Sequence, residues 1–504
     1  MSFREMLQEK LLLYDGSKGF LLIKSGLAKS DLPDIFNLHH PDAVEDIHRA
    51  YVNAGADVIQ TNTMQSSRFH LGSRGLYEKL ADINSAGVKL AKQAAGGKAL
   101  VAASLAPLGK LMAPFGDMGF DEARDVFAEQ ICVLLEAGVD ILHFETFTDL
   151  SELRAAVIAA RGLSTDAPII ATLSLESGGR TIMGDDPLCA GAALVALGAD
   201  CVGANCGLAP RALLSVFAPF AGVGAPLCSK PNAGAPSVEN GELCYHATEE
   251  EFFETAFGFG RLGARLIGGC CGSGPSHIRR LREAVDVMNA GGNGGGGNGA
   301  DYAGGGGNGG GNGADYAGGG VNKGQIRLCS FGKSFITSRA WLEECVNEAL
   351  RAMSAQPPAW FGAPMFIESG NGKLLTVNVS CLCNRDGPFD DKIVDILSEA
   401  DESDAQATVF CLFADRFDDR IPKAGCAAGR AAVTSEAASA ILESIAVNAR
   451  TYHKKPLAFF TDCEGPLRRA LSCYCGAPAV IASDAIERRI RAAIAAYKVE
   501  IIGI

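Results

Sequence analysis

The chain has 504 residues, of which 48% are hydrophobic and 20% are charged, a composition typical of globular proteins and not of disordered ones. This length exceeds what one hydrophobic core usually organises, so we expect two domains. A formal net charge of −13 argues against binding to nucleic acid or to an acidic membrane surface. Because no apolar run could span a bilayer and the first residues lack a signal-peptide pattern, we expect a cytoplasmic protein.

The first 288 residues contain eight short apolar segments that are rich in β-forming residues, with helical patterns between them. The segments predicted as strands are residues 11–15, 56–63, 99–104, 139–145, 168–174, 200–206, 226–232 and 265–270. Eight β/α units in fewer than 290 residues predict a (β/α)8 TIM barrel. The alternative is a doubly wound open sheet, which normally carries a Gly-x-Gly-x-x-Gly turn after its first strand. Here that strand is followed by Asp15-Gly-Ser-Lys-Gly-Phe20, which lacks this spacing.

A glycine-rich segment then divides the chain. Residues 291–320 are mostly glycine and contain the sequence GNGADYAGGG twice, starting at Gly297 and at Gly311. Such a segment cannot bury a core and is typical of a flexible linker. We therefore expect a barrel at 1–288, a linker at 289–323 and a second, smaller α/β domain at 324–504.

Polar residues end most of the predicted barrel strands, and the carboxyl ends of barrel strands meet at one mouth. We expect the following residues there: Asp15, Thr61 to Thr63, Ser104, Glu145, Thr172, Cys206, Asn232, Cys270 and Cys271. For Ser104, Thr172 and Asn232, capping of the following helix explains the pattern about as well as ligand binding does. His143 lies within the fourth strand and is expected to be a buried wall residue instead of a ligand.

Three of the seventeen cysteines stand at strand ends, namely Cys206, Cys270 and Cys271. Flanking glycines would let the backbone turn so that both adjacent thiols face one point. Three thiols with a fourth position open form a catalytic zinc site. Three buried small residues or a vicinal disulfide would explain the pattern equally well. The other cysteines of the barrel are expected to be core residues.

A zinc site of this kind suggests a chemistry. Zinc lowers the pKa of a bound thiol, and a site with three cysteine ligands makes a further thiolate electron-rich and nucleophilic toward a methyl carbon.

Residues 1–288 resemble the homocysteine S-methyltransferase family. The resemblance depends on the following motifs: Asp15-Gly16, Gly55-Ala-Asp-Val-Ile-Gln-Thr-Asn-Thr63, Phe144-Glu-Thr-Phe147, Gly203-Ala-Asn-Cys206, Pro231-Asn-Ala-Gly234 and Gly268-Gly-Cys-Cys-Gly272. Within the family, Pro231-Asn-Ala-Gly234 is most similar to the homocysteine-binding module of cobalamin-dependent methionine synthase.

The resemblance implies that Cys206, Cys270 and Cys271 hold Zn²⁺ and that the homocysteine sulfur is the exchangeable ligand. It also implies that Asp15 and Glu145 bind the substrate ammonium, while backbone amides near Gly16 and Thr63 bind its carboxylate. Ser104 is a further candidate for the substrate site. The alternative for Glu145 is a salt bridge within the barrel.

The chain departs from the family pattern at several positions. The family usually has Asp-Gly-Ala-Met-Gly-Thr where this chain has Asp15-Gly-Ser-Lys-Gly-Phe20, and Met64 stands where phenylalanine is common. Lys18 is expected to be a solvated loop residue, and the alternative is a cation directed at the substrate carboxylate or at an anionic partner.

The second domain gives fewer indications. Its predicted strands, at 373–379, 407–413, 456–461 and 478–483, alternate with helical patterns. The segment from Lys455 to Ser483 weakly resembles a folate-binding barrel. About 180 residues is short for that barrel, so a diverged remnant is expected. The Cys-x-Cys pairs at 381/383 and 473/475 are more typical of idle thiols than of a metal site.

The predicted function is a zinc-dependent homocysteine S-methyltransferase that forms methionine by attack of the zinc-bound thiolate on a donor methyl group. The sequence lacks the Asp-x-His-x-x-Gly motif of corrinoid modules, so the expected donor is methylcobalamin on a separate corrinoid protein. One alternative is a homocysteine methyltransferase that uses S-methylmethionine or S-adenosylmethionine. Another is a non-catalytic scaffold that binds corrinoid proteins and keeps zinc for structure.

Overall fold

The computed structural model describes residues 1–27, 31–113, 115–239 and 242–291. Beyond these, it describes eight strands and six helical positions between residues 325 and 503. The predicted linker lies almost entirely outside the described residues, as do both Cys-x-Cys pairs. The predicted domain boundaries therefore stay a prediction.

Eight parallel strands form the barrel, and a short hairpin is inserted before the last of them. The strands are β1 Leu12–Leu13, β2 Val58–Gln60, β3 Leu100–Leu105, β4 Ile141–Phe147, β5 Ile169–Leu173, β6 Cys201–Asn205, β7 Leu227–Lys230, the hairpin β8 Ser237–Glu239 and β9 Glu242–Cys244, and β10 Ala264–Ile267. The strand order around the sheet is β1-β10-β7-β6-β5-β4-β3-β2. A parallel bridge between Tyr14 and Val58 joins the two end strands and closes the barrel. The predicted TIM barrel is confirmed, and the hairpin is an addition that the sequence pattern did not indicate.

Helices surround the strands. They are α1 Phe3–Glu9, α2 Lys18–Lys24, α3 Phe36–His39, α4 Pro41–Asn53, α5 Arg68–Gly72, α6 Leu80–Ala95, α7 Phe120–Glu136, α8 Leu150–Leu163, α9 Pro187–Ala196, α10 Pro210–Phe217, α11 Glu249–Arg261 and α12 Pro275–Ala290. Three 3-10 turns, at Pro33–Ile35, Tyr77–Lys79 and Ala218–Val223, complete the connections. None of the described helices combines the length and the apolar composition that crossing a membrane requires.

The period of two along each strand separates the barrel interior from the layer under the helices. The lower interior is a small apolar cluster to which most barrel strands contribute, and α1 covers it with Phe3 and Leu7. The alternate strand residues, such as Leu13 and Ile59, belong to the large core between strands and helices. Residues two positions beyond the apolar interior residues therefore also face inward, nearer the carboxyl-end mouth.

Residues 365–503 contain a six-stranded sheet. Its strands, in spatial order, are β13 Met365–Ser369, β14 Gly372–Asn378, β15 Ala407–Leu412, β16 Leu457–Thr461, β17 Ala479–Ala482 and β18 Glu500–Gly503. β13 pairs antiparallel with β14, and the other neighbours are parallel. A separate antiparallel pair, β11 Gln325–Cys329 and β12 Ser334–Ser338, precedes this sheet. All four predicted strands are present, whereas the folate-binding resemblance stays a prediction.

Candidate metal centre

Cys206 occupies an unusual backbone conformation at the end of β6. Its φ is +62°, and Thr146 is the only other described non-glycine residue with a positive φ. This left-handed region costs energy for residues with a Cβ, so tertiary contacts must maintain it. The Cys206 amide donates to the Lys230 carbonyl at 3.0 Å, which fixes the residue against the end of β7. The turn directs the thiol across the barrel mouth.

Cys270 and Cys271 follow β10 and are held by the loop after β7. The Cys270 amide donates to the Pro231 carbonyl at 2.8 Å, and the Cys271 amide donates to Asn232 Oδ1 at 3.1 Å. The Asn232 side chain therefore fixes the cysteine loop and does not cap a helix, which was the predicted alternative. Gly272 comes next at φ +79°, where a Cβ would lie 2.2 Å from the Tyr245 ring. Only glycine fits this turn without displacing Tyr245.

The three thiols meet at one point. Their sulfur atoms all lie within 4.8 Å of one another, and the Cys206 and Cys271 sulfurs are 3.8 Å apart. The eight cysteines of residues 1–288 are all free thiols. Among the described residues, this is the one cluster of histidine, cysteine or acidic side chains close enough to hold a metal ion.

The thiols influence one another electrostatically. Hydrogen bonds from Cys270 and Cys271 stabilise the Cys206 thiolate and lower the pKa of that residue. The same interaction raises the pKa values of Cys270 and Cys271, whose protons would be released next to an existing negative charge. A cation at the centre would favour the thiolate form of all three residues.

A second group of polar side chains lies next to the thiols, inside the upper barrel. Glu145 Oε1 accepts hydrogen bonds from Gln60 Nε2 at 2.7 Å and from the Ser104 hydroxyl. Asn205 Nδ2 lies 3.5 Å from Glu145 Oε2 and 3.7 Å from the Cys270 sulfur. Asn205 thus links the carboxylate directly to the thiol cluster. Ser104 serves the carboxylate and caps no helix.

Lys230 supplies a buried cation to this group. Its ammonium donates to Gln60 Oε1 and lies 3.8 Å from Glu145 Oε2 and 4.0 Å from Asp15 Oδ1. It also lies 3.8 Å from the centroid of the Tyr14 ring, a cation–π contact. The lysine side chain is 1% exposed, so its charge is balanced almost entirely by protein groups.

The two carboxylates respond differently to their surroundings. Burial raises the pKa of Glu145, but the positive charge of Lys230 and the other nearby donors outweigh this effect and lower the value to about 2. For Asp15, burial outweighs the attraction to Lys18 and Lys230, and the pKa is raised. Asp15 Oδ2 accepts from the Gln60 amide at 2.9 Å, whereas Oδ1 has no hydrogen-bond partner within the described chain.

The other predicted site residues lie around this group. Thr63 is fully buried, and its hydroxyl donates to the Ser104 carbonyl at 3.0 Å. Gly16 packs so tightly on the last loop that a Cβ would lie 2.7 Å from the Ser273 carbonyl oxygen. His143 is a buried wall residue, as predicted, with its ring nitrogens 3.0 Å from the hydroxyls of Tyr14 and Thr172.

Lys18 is buried, which contradicts the expectation that it is a solvated loop residue. It is the first residue of α2, and it is only 7% exposed. Its charge interacts with Asp15, Glu145, Lys230 and Cys270, so it lies within the electrostatic field of the site. The prediction was wrong because α2 begins directly after Gly16 and Ser17, which pack against the Ser273 carbonyl of the last loop.

Sequence reasoning missed three residues of the site, namely Gln60, Asn205 and Lys230. Each stands two positions after an inward-facing strand residue: Gln60 follows Val58, Asn205 follows Gly203 and Lys230 follows Cys228. The period-two rule applied to each strand would have found them.

A model of the homocysteine S-methyltransferase family matches residues 12–285. The chain belongs to the homocysteine S-methyltransferase family. The methionine synthases of Mycobacterium leprae and Mycobacterium tuberculosis are each 31% identical to it, over 307 and 301 residues. These matches cover 57% and 56% of this chain but 25% of each relative, so the chain spans about a quarter of their length.

Solved structures are also similar to part of this chain. The homocysteine methyltransferase MmuM from Escherichia coli is 24% identical in its oxidized form, with a TM-score of 0.47. That match covers 54% of this chain and 95% of the other. The metallated form is 23% identical, with a TM-score of 0.47 and coverages of 56% and 98%. The family resemblance inferred from the sequence motifs is confirmed by the family match.

Proposed function

We propose that this protein is a zinc-dependent homocysteine S-methyltransferase that forms methionine. The observation that carries the proposal is the convergence of Cys206, Cys270 and Cys271, whose sulfur atoms lie within 4.8 Å of one another. Residues so far apart in the chain come together at the mouth where barrel enzymes carry out their chemistry. Family membership supports homocysteine as the methyl acceptor.

The donor set fits Zn²⁺. Three thiolates are the soft ligands that zinc prefers, and three protein ligands are the usual number where a fourth position is kept for substrate. The Cys206 amide donates to the Lys230 carbonyl and the Cys271 amide donates to Asn232 Oδ1, and these hydrogen bonds hold the backbone that carries the sulfurs. When bound, zinc would lower the pKa of the acceptor thiol, so that its nucleophilic form persists at neutral pH.

The protein's own groups would bind and orient the acceptor. Glu145 is ionised, and Asn205 lies between its carboxylate and the Cys270 thiol. A negative charge at this position suits the substrate ammonium. Asp15 offers its Oδ1 atom, which makes no hydrogen bond within the described chain, for the same purpose. Ser104 orients the Glu145 carboxylate, and amides near Gly16 and Thr63 are the proposed contacts for the substrate carboxylate.

The proposed methyl donor is methylcobalamin carried by a separate corrinoid protein. The similarity of Pro231-Asn-Ala-Gly234 to the module of cobalamin-dependent methionine synthase supports this donor, as do the two mycobacterial relatives named methionine synthase. A wide, open barrel mouth is needed to admit such a carrier. A sulfonium donor is the principal alternative.

The function is tested by incubating the zinc-loaded protein with homocysteine and, separately, methylcobalamin, S-methylmethionine and S-adenosylmethionine. Methionine formed from methylcobalamin supports the proposal, and methionine formed only from a sulfonium reassigns the donor. A protein that holds one zinc but produces no methionine from any donor would instead be the scaffold. The Cys270→Ala variant is the negative control in each assay.

A further inference from the structure

Lys18 is a buried cation whose charge is not satisfied by a direct contact. The side chain is 7% exposed, and its ammonium makes no hydrogen bond, and no ion pair within 4.0 Å, with any residue that the structure describes. A buried ammonium is costly unless an anion or hydrogen-bond acceptor compensates it. The described residues therefore compensate this charge only at longer range, chiefly through Asp15, and the ammonium has no direct anionic partner among them.

The position of Lys18 is fixed by the fold. Ser17 caps α2, since its hydroxyl accepts from the Phe20 amide at 3.3 Å, and the Ser17 amide donates to the Ser273 carbonyl at 2.9 Å. The Tyr51 hydroxyl lies 2.8 Å from the Ser17 carbonyl and 3.0 Å from that of Ser273. A lysine at the first position of a helix is also disfavoured by the helix dipole, so helix stability does not explain it.

The Glu145 carboxylate already has direct partners in Gln60, Ser104 and Lys230. Lys18 acts on Asp15 more strongly than Lys230 does, but no ion pair within 4.0 Å joins Lys18 to either carboxylate. Lys18 interacts electrostatically with Asp15, Glu145 and Cys270. Its helix begins directly after Gly16 and Ser17, which pack against the Ser273 carbonyl, two residues beyond Cys271. If an acceptor amino acid is bound there through its sulfur and its ammonium, its carboxylate still needs a binding partner.

We propose that the Lys18 ammonium binds the carboxylate of the acceptor amino acid and so selects thiols that carry this group. The inference rests on the proposed function, since it assigns a specificity-determining residue to the same acceptor site. An ion pair of this kind replaces or supplements the backbone amides near Gly16 and Thr63. Each charged group of the substrate zwitterion then has an opposite charge as its partner: the ammonium pairs with Glu145 and the carboxylate with Lys18.

The test compares two ligands that differ only in the carboxylate, L-methionine and 3-(methylthio)propylamine. Their binding to the full chain is measured by calorimetry, with and without zinc. The Lys18→Met variant keeps the side-chain length and removes the charge. We expect methionine affinity to fall by about tenfold to a hundredfold, the usual range for a lost hydrogen bond to a charged group. The affinity for the amine should stay within about threefold, because that ligand has no partner for the lysine.

Two further variants complete the experiment. Lys24→Met makes the same change at an exposed position of the same helix and should alter neither affinity. Lys18→Arg should retain the preference for methionine, and it tests the proposal even if Lys18→Met fails to fold. If the wild type binds methionine and Lys18→Met binds it equally well, the Lys18 assignment alone is overturned. A wild-type protein that binds no methionine would overturn the proposed function and this assignment together.

Discussion

The Lys230 ammonium and the Glu145 carboxylate lie 3.8 Å apart inside the barrel, with Gln60 hydrogen-bonded to both. This arrangement agrees with the sequence-based alternative that Glu145 forms a salt bridge within the barrel. It is also compatible with substrate binding, since Glu145 keeps its negative charge near the thiols through Asn205. The pair thus maintains an ionised carboxylate at a site where burial alone would neutralise it.

Gln60→Leu tests the bridge between these charges. Both charged groups would lose a hydrogen bond in a buried environment, so we expect the free energy of unfolding to fall by about 2 to 4 kcal/mol. Chemical denaturation measures the change, and Gln93→Leu at an exposed position of α6 is the matched control. Equal stability of the two variants would show that the bridge contributes nothing.

Cys270→Ala tests the metal centre. Removal of one of three ligands should reduce bound zinc from about one per chain to a small fraction, as measured by elemental analysis after dialysis. Cys132→Ala, at a helix position away from the cluster, should bind zinc like the wild type. Stoichiometric zinc in Cys270→Ala would mean that the ion is bound elsewhere.

Gly272→Ala tests the turn that presents the cysteine pair. The substitution adds a Cβ at φ +79° that would lie 2.2 Å from the Tyr245 ring, so Tyr245 or the cysteine loop must move. We expect a loss of about 1 to 3 kcal/mol in stability and a weaker affinity for zinc. Gly138→Ala shares the positive φ, at +84°, without any contact within 4 Å. Gly138→Ala should lose stability but keep its affinity for zinc. A similar loss of zinc affinity in both variants would contradict the role given to the Gly272 turn.

Glu152 gives the barrel a specific pH dependence. Burial raises its pKa from 4.5 to about 8, although its carboxyl group accepts a hydrogen bond from the Leu108 amide at 2.6 Å. Between these values the folded state holds a proton that the unfolded state has released. The contribution of Glu152 to stability therefore falls as pH rises from about 4.5 to about 8 and stays low above that.

Glu152→Gln should remove this contribution, because glutamine keeps the acceptor oxygen and does not ionise. The difference in melting temperature between the variant and the wild type should grow in favour of the variant as pH rises from 5 to 9. Glu122→Gln, at an exposed position of α7, should show no such trend. A difference for Glu152→Gln that does not depend on pH would refute the assignment.

The barrel could be predicted from the sequence because every strand carries a local apolar pattern and the strands recur at regular spacing. The thiol cluster was predicted for the same reason, since strand ends converge in this fold. Lys18 could not be placed correctly, because its burial depends on the contact of Gly16 with Ser273, which is distant in sequence. The roles of Gln60 and Lys230 depend on pairings across the barrel that no local pattern specifies.

The most direct test is X-ray absorption spectroscopy at the zinc edge, on the zinc-loaded protein before and after addition of homocysteine. The account predicts three sulfur ligands at about 2.3 Å before addition and four afterwards. Selenohomocysteine in place of homocysteine should add one selenium neighbour. A sulfur count that stays the same after addition, or a free site with fewer than three sulfurs, would contradict the account.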